Sequence, residues 1–183
     1  MSKVIIFFDF EVNGLAPESS VLSVAALKTH LTEGKFLFAG DFVRFYFPKE
    51  AFHADALKVH GITEDVIREK RTDQAWYGNF QEDLDFVDFV RGADLMVAHN
   101  YKFDSRYLPF KVAVEKTFCT MASNTLWRGK WPKLNETAKF YGVSLDEGRL
   151  HDAAYDTFLC YQIFREMYHR GLLPFLGEKN ADG

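Results

Sequence analysis

The chain has 183 residues, 48% of them hydrophobic and 16% aromatic, with nineteen Phe, which is enough apolar surface for one substantial core and too much for a disordered polymer. A formal net charge of −4 excludes a broad basic surface, so any nucleic-acid contact is local or assisted by bound cations. Cys119 and Cys160 follow no framework spacing and read as buried thiols of a reducing compartment, and no apolar run is long enough for a signal or a membrane span; the expectation is a soluble, cytoplasmic single domain over residues 1–183, with its core at about 3–172.

"KVIIFFDF", residues 3–10, is a continuous apolar run of the kind that forms a central strand covered on both faces. The turn-rich "NGLAPESS" follows. "VLSVAALKTH" and "GKFLFAGDFVRFYFP" read as strands two and three, joined in an antiparallel hairpin at "TEG" and stopped by Pro48. The period then becomes helical. A short helix ends at Gly61, and "TEDVIREK" starts on Thr63 as N-cap. A longer amphipathic helix is predicted over 74–91, a buried strand at "ADLMVAHN" and a helix over 101–115. "KTFCT" reads as a fifth strand, "KLNETAKFYGV" as a helix closed by Gly142, and 152–170 as the final long helix. Strands followed by alternating strand and helix imply one mixed α/β sheet covered by helices.

Asp9 and Glu11 break this pattern. Residues two apart on a strand share a face, so these acids extend the row of Ile5 and Phe7. Burying unpaired carboxylates together is costly, and no neighbouring Lys or Arg offers compensation. A divalent cation would satisfy both, and carboxylate oxygens suit Mg²⁺ or Mn²⁺; solvated acids at a strand end are the other reading. Asp104 stands in the first turn after the fourth strand, either as a helix-dipole partner or at the strand–helix junction where α/β sheets bind ligands. Asp156, Cys160, Ile163 and Met167 form one helical stripe, in which a carboxylate is a poor choice for stability. His151 falls five residues before Asp156, on a loop that Asp152 closes by capping the helix. Two cations about 3.5–4 Å apart can clamp the attacking and leaving oxygens of a phosphodiester displacement, with a neutral histidine deprotonating the water.

"DFEVNG", "HNYKFDSRYL" and "HDAAYD" together resemble, in order and spacing, the three motifs of the DEDDh family of 3′→5′ exonucleases. That family includes the proofreading subunits of bacterial replicative DNA polymerases and ribonuclease T. The resemblance runs from about Val4 to about residue 170. It implies a ribonuclease H-like five-stranded mixed sheet in the order 3-2-1-4-5, flanked by helices. It also implies release of nucleoside 5′-monophosphates from a 3′ end with two divalent cations, Mg²⁺ or Mn²⁺. Carried over by residue, Asp9, Glu11, Asp104 and Asp156 become metal ligands and His151 the general base. "VHGIT" resembles a segment that holds the terminal nucleotide and brings in His60 and Asp55. Val12 and Asn13 replace the family's pair of threonines, so the Asn13–Gly14 backbone, beside Glu11, is what can approach the 3′ sugar.

"WRGKWPK" sets Trp127 and Trp131 among Arg128, Lys130 and Lys133, either as stacking rings beside phosphate-binding cations or as a helix connection anchored by buried tryptophans. "QEDLDF" loosely resembles a sliding-clamp-binding peptide but lies in a predicted helix, where Phe80, Leu84 and Val87 serve as core. The leading expectation is a single-stranded DNA exonuclease of proofreading or repair type, free-standing or docked on a replication or repair protein. The alternatives are the same chemistry on RNA and a silent nucleic-acid-binding module. The cleavage motifs do not separate DNA from RNA, since both present the same phosphates.

Overall fold

β1 (Lys3–Val12) is buried on both faces, as its unbroken apolar run requires. Ile6, Phe8 and Phe10 point into one core, and Ile5 and Phe7 into a second on the opposite face. The structure, a computed structural model, describes residues 2–72 and 74–177, and only the backbone of 126–128. β2 (Val21–Thr32) and β3 (Lys35–Phe45) continue the sheet antiparallel, while β4 (Leu95–Ala98) and β5 (Thr117–Cys119) join parallel on the other side of β1. The order is β3-β2-β1-β4-β5, as expected. Glu33 and Gly34 both take positive φ at the β2–β3 turn, the backbone of a two-residue hairpin whose twist matches its strands.

Seven α-helices are described: α1 (Ala54–His60), α2 (Glu64–Lys70), α3 (Leu84–Val90), α4 (Tyr101–Asp104), α5 (Thr120–Arg128), α6 (Leu134–Tyr141) and α7 (Ala153–His169). Thr63 caps α2 by accepting from the Val66 N–H, and Gly142 at φ 72° closes α6, both as expected. α6 and α7 cover the Ile5/Phe7 face of β1, with Cys160, Ile163 and Met167 of the α7 stripe all in that core.

Several expectations are corrected. The helix predicted over 74–91 is a 3-10 turn at Phe80–Glu82 followed by α3. Asp83 breaks it, because its fully buried carboxylate accepts from the Asp85 and Phe86 amides, from Tyr46 Oη at 2.7 Å and from Arg44 at 2.8 Å. The core positions are then Phe80, Phe86 and Val90, while Leu84 is exposed. The "QEDLDF" segment therefore keeps Asp83 and Phe86 inside the fold, where a peptide-type docking motif would need them outside.

The predicted 101–115 helix ends at Asp104, since the next amides turn back three residues (Arg106 to Phe103, Tyr107 to Asp104) and Pro109 has no N–H to continue. α5 was not expected at all. Its inward positions are the polar Thr120 and Asn124, which bond to His99 and Tyr141 and so give no apolar period. Of the thiols expected to be buried, Cys160 is and Cys119 is only half-buried.

Candidate active site at the end of strand one

The antiparallel register sets Asp9 opposite Ala25 and Glu11 opposite Ser23, small neighbours that leave space on the α7 side of the sheet. Thr157 Oγ1 bonds to the Ala25 carbonyl at 3.3 Å and fixes the first turn of α7 over that space. Asp156, one residue earlier, is thereby brought beside β1. Asp152 caps α7 through the Ala154 and Tyr155 amides. The preceding His151 takes the left-handed conformation at φ 66°, uncommon for a residue with a side chain, and donates its backbone N–H to Asp156 Oδ2 at 3.2 Å. Glu11, His151 and Asp156 each present a ligand atom within 4.8 Å of the other two. Asp104 arrives from the other side of β1, held by amide bonds that close α4 on the Asn100 carbonyl.

The electrostatics of this cluster are unfavourable for the bare protein. Burial raises the Asp9 carboxyl well above its ordinary range, and Asp104, Glu11, Asp156 and Asp152 add to the effect. Glu11 is pushed up to about 9 by burial and by Asp156, Asp104 and Asp152. Burial takes Asp104 to about 8, against backbone hydrogen bonds that lower it, and Asp156 to about 6, against the His151 N–H. Asp104 Oδ2 and Asp156 Oδ1 are buried with no hydrogen-bond partner among the described residues. Unpartnered acceptors and crowded like charges are what a divalent cation relieves, so the donor set fits one.

Beside the acids lies a cleft of about 370 Å³, lined by Glu11, Gly14, Leu15, Asp55, Val59, His60 and Phe103, among others. His60 also borders an adjoining space of about 130 Å³ that contains His151 and Asp152. Its Nδ1 accepts from the Ile62 N–H at 3.0 Å. Burial lowers the His60 pKa, with the Val12 backbone opposing and His151 assisting. Asp55 stands on the exposed face of α1, paired with Lys58 at 2.8 Å.

Asn13 is placed differently from Gly14. Its side chain is buried and occupied by the protein: Nδ2 donates to Glu50 Oε1 and the Ala51 carbonyl, and Oδ1 accepts from the His53 N–H. Glu50 also accepts from the Ser20 N–H and Oγ. Sequence reasoning missed Glu50, whose partners lie thirty or more residues away. It also missed Leu15 and Phe103, although an apolar residue within a turn-rich segment, 81% exposed in the fold, is a readable signal. Of the "WRGKWPK" segment, the Trp127 and Arg128 side chains lie outside the described residues. Trp131 is exposed, contrary to a buried-tryptophan anchor, and Lys130 pairs with Glu136 at 2.7 Å.

Residues 6–164 match the exonuclease family of ribonuclease T type. The chain belongs to that family. It is 25% identical over 160 residues to the DNA polymerase III epsilon subunit of Haemophilus influenzae, covering 74% of this chain and 59% of that protein. It is 26% identical over 184 residues to ribonuclease T of Buchnera aphidicola, covering 90% and 82% respectively. Among solved structures, Exonuclease X in complex with 5′-overhanging duplex DNA superposes with a TM-score of 0.67 at 24% identity, over 91% of this chain and 93% of that one. The ribonuclease H-like fold and the DEDD-type exonuclease kinship expected from the motifs are both borne out. The chain spans about half to three-fifths of the epsilon relatives it matches. No helix among the described residues is long and apolar enough to cross a membrane.

Proposed function

We propose that this chain is a metal-dependent 3′→5′ exonuclease that removes nucleoside 5′-monophosphates from single-stranded DNA, using two divalent cations, Mg²⁺ or Mn²⁺. The observation that carries this reading is the meeting of Glu11, Asp156 and His151 within 4.8 Å, beside the raised carboxyls of Asp9 and Asp104. Asp9, Glu11, Asp104 and Asp156 would hold the cations. Bound there, divalent cations supply charge neutralisation at the phosphate and a more acidic water.

The protein's own part follows from its geometry. The apolar cleft, within the roughly 300–1,000 Å³ range of small-molecule sites, seats the terminal base and sugar between Leu15, Val59 and Phe103. His60, Asp55 and the Gly14 backbone supply its polar edge. Glu11 borders both cleft and acid cluster, so the scissile phosphate falls at their junction. His151, on an exposed turn, can accept the proton of the attacking water and return it to solvent. The exposed Trp131 and Lys130 are a candidate contact for the strand further from its end, to which the sequence adds Trp127 and Arg128.

Similarity to an epsilon subunit favours DNA and a replication or repair partner; similarity to ribonuclease T keeps RNA as the second reading. Matched 5′-labelled DNA and RNA oligomers, incubated with Mg²⁺, test both. Stepwise shortening of the DNA is expected to be faster; faster shortening of the RNA would reverse the assignment, and cleavage of a circular single strand would remove the exonuclease reading.

A further inference from the structure

On the other side of the 14–20 loop from the apolar cleft lies a second cleft of about 310 Å³. Lys49 and Arg106 border it from separate parts of the chain, and neither makes an ion pair among the described residues. Ser19, Asn79 and Gln81 add polar groups, and among the described residues Glu18 is the only acid on its wall. The two clefts share a partition. The Arg106 guanidinium lies 5.7 Å from the centre of the Phe103 ring, which lines the apolar cleft, and Tyr107 Oη bonds to the Ala16 carbonyl of the loop at 3.1 Å. In a chain of net charge −4, Lys49 and Arg106 outnumber Glu18 on this wall and give the cleft a local positive balance.

We infer that this second cleft, between Lys49 and Arg106, holds a backbone phosphate of the incoming strand, upstream of the phosphate that is cut. The inference rests on the exonuclease reading for its substrate, but not for its test. A strand whose last nucleotide fills the apolar cleft crosses the 14–20 loop, and a phosphodiester there meets the ammonium of Lys49 and the planar donor fork of Arg106. Glu18 opposes the same anion, so its charge and theirs act with opposite signs.

Binding of a short fluorescein-labelled oligothymidylate, read by anisotropy in Ca²⁺ across a salt series, decides this without turnover. The Lys49→Ala/Arg106→Ala double variant should bind more weakly. The slope of log affinity against log salt should be shallower by roughly 0.7, the value for one phosphate of a single strand, so that between 50 and 200 mM salt it loses about 2.6-fold less affinity than wild type. Glu18→Gln should shift affinity the other way.

Hydrolysis of the p-nitrophenyl ester of thymidine 5′-monophosphate, which has no upstream phosphate, reports the acid cluster and the apolar cleft without the second cleft. The ratio of oligomer to ester kcat/KM should fall in the double variant. An unchanged salt slope, or Glu18→Gln weakening binding, would overturn the inference. So would relief of inhibition by free thymidine 5′-monophosphate, which would place a mononucleotide there instead. Wild type inert towards the ester would count against the exonuclease reading, and the anisotropy slopes would still decide the cleft.

Discussion

Asn13 Nδ2 and Glu50 Oε1 lie 2.9 Å apart and tie the loop after β1 to the segment that leads into α1. Glu50 completes the tie by accepting from Ser20 at 2.8 and 2.7 Å. The two walls of the apolar cleft, Gly14–Leu15 on one side and Asp55–His60 on the other, are thus spaced by one carboxylate.

Glu50→Ala removes three accepted hydrogen bonds at a partly exposed site. It should cost roughly 1–2 kcal/mol in urea denaturation. It should also raise KM for oligonucleotide more than it lowers kcat, because the acid cluster is not touched. A fall in kcat with KM unchanged would show that Glu50 does not set the cleft.

The Arg44–Asp83 pair should matter more to stability than any surface pair. Asp83 is fully buried and Arg44 partly so, so Arg44→Met leaves a buried charge without the cation that pairs with it. The loss should be about 3 kcal/mol. Arg91→Ala, which breaks an exposed pair with Asp88, should change stability by less than about 1 kcal/mol. Urea midpoints of the two variants side by side measure the difference; equal losses would contradict it.

What could be read from sequence divides along these lines. β1 to β5 and α7 were legible because apolar periodicity is local, and Asp9, Glu11 and Asp156 because carboxylates violate it. The break at Asp83 was not legible, since its cause is Arg44 and Tyr46 at the end of β3, about forty residues earlier. α5 was hidden because it buries Thr120 and Asn124, whose partners lie in other elements. The structural use of the Asn13 side chain was not legible either, because its partners Glu50, Ala51 and His53 lie about forty residues later.

The raised carboxyls fix the sign of a pH effect. A carboxyl with a raised folded pKa stabilises the fold fully below its ordinary pKa, and that contribution is lost as pH rises through the folded value. For Asp156, Asp104 and Glu11 the loss runs from about pH 4 through about 6, 8 and 9. Glu50 acts oppositely: hydrogen bonds from Ser20 and Asn13 outweigh burial and lower its pKa, so its contribution is present above its ordinary pKa and lost as pH falls through the folded value. Metal-free protein should therefore melt progressively lower as pH rises from 7 to 9, above the range in which His99 and His60, lowered by burial, act oppositely. Added Mn²⁺ should flatten that decline. A metal-free Tm that rises over this range would contradict the account.

His151→Gln should lower single-turnover cleavage roughly 10²–10⁴-fold, the usual range for a positioned general base. His151→Gly should lose the same proton acceptor while relieving the φ of 66°, so it should be no less stable than His151→Gln. Equal cleavage rates for wild type and His151→Gln, with chemistry rate-limiting, would exclude the histidine as base.

The central claim is that the crowded acids exist to hold divalent cations, and thermal melts of wild type, Asp156→Asn and His151→Gln with and without Mn²⁺ test it most directly. In EDTA, Asp156→Asn should melt at or above the wild-type temperature, because a repelling charge has gone. On adding Mn²⁺ it should gain less than wild type, whereas His151→Gln should gain nearly as much as wild type. An Asp156→Asn protein that keeps the full Mn²⁺ shift while His151→Gln loses it would contradict the account and exchange the two roles.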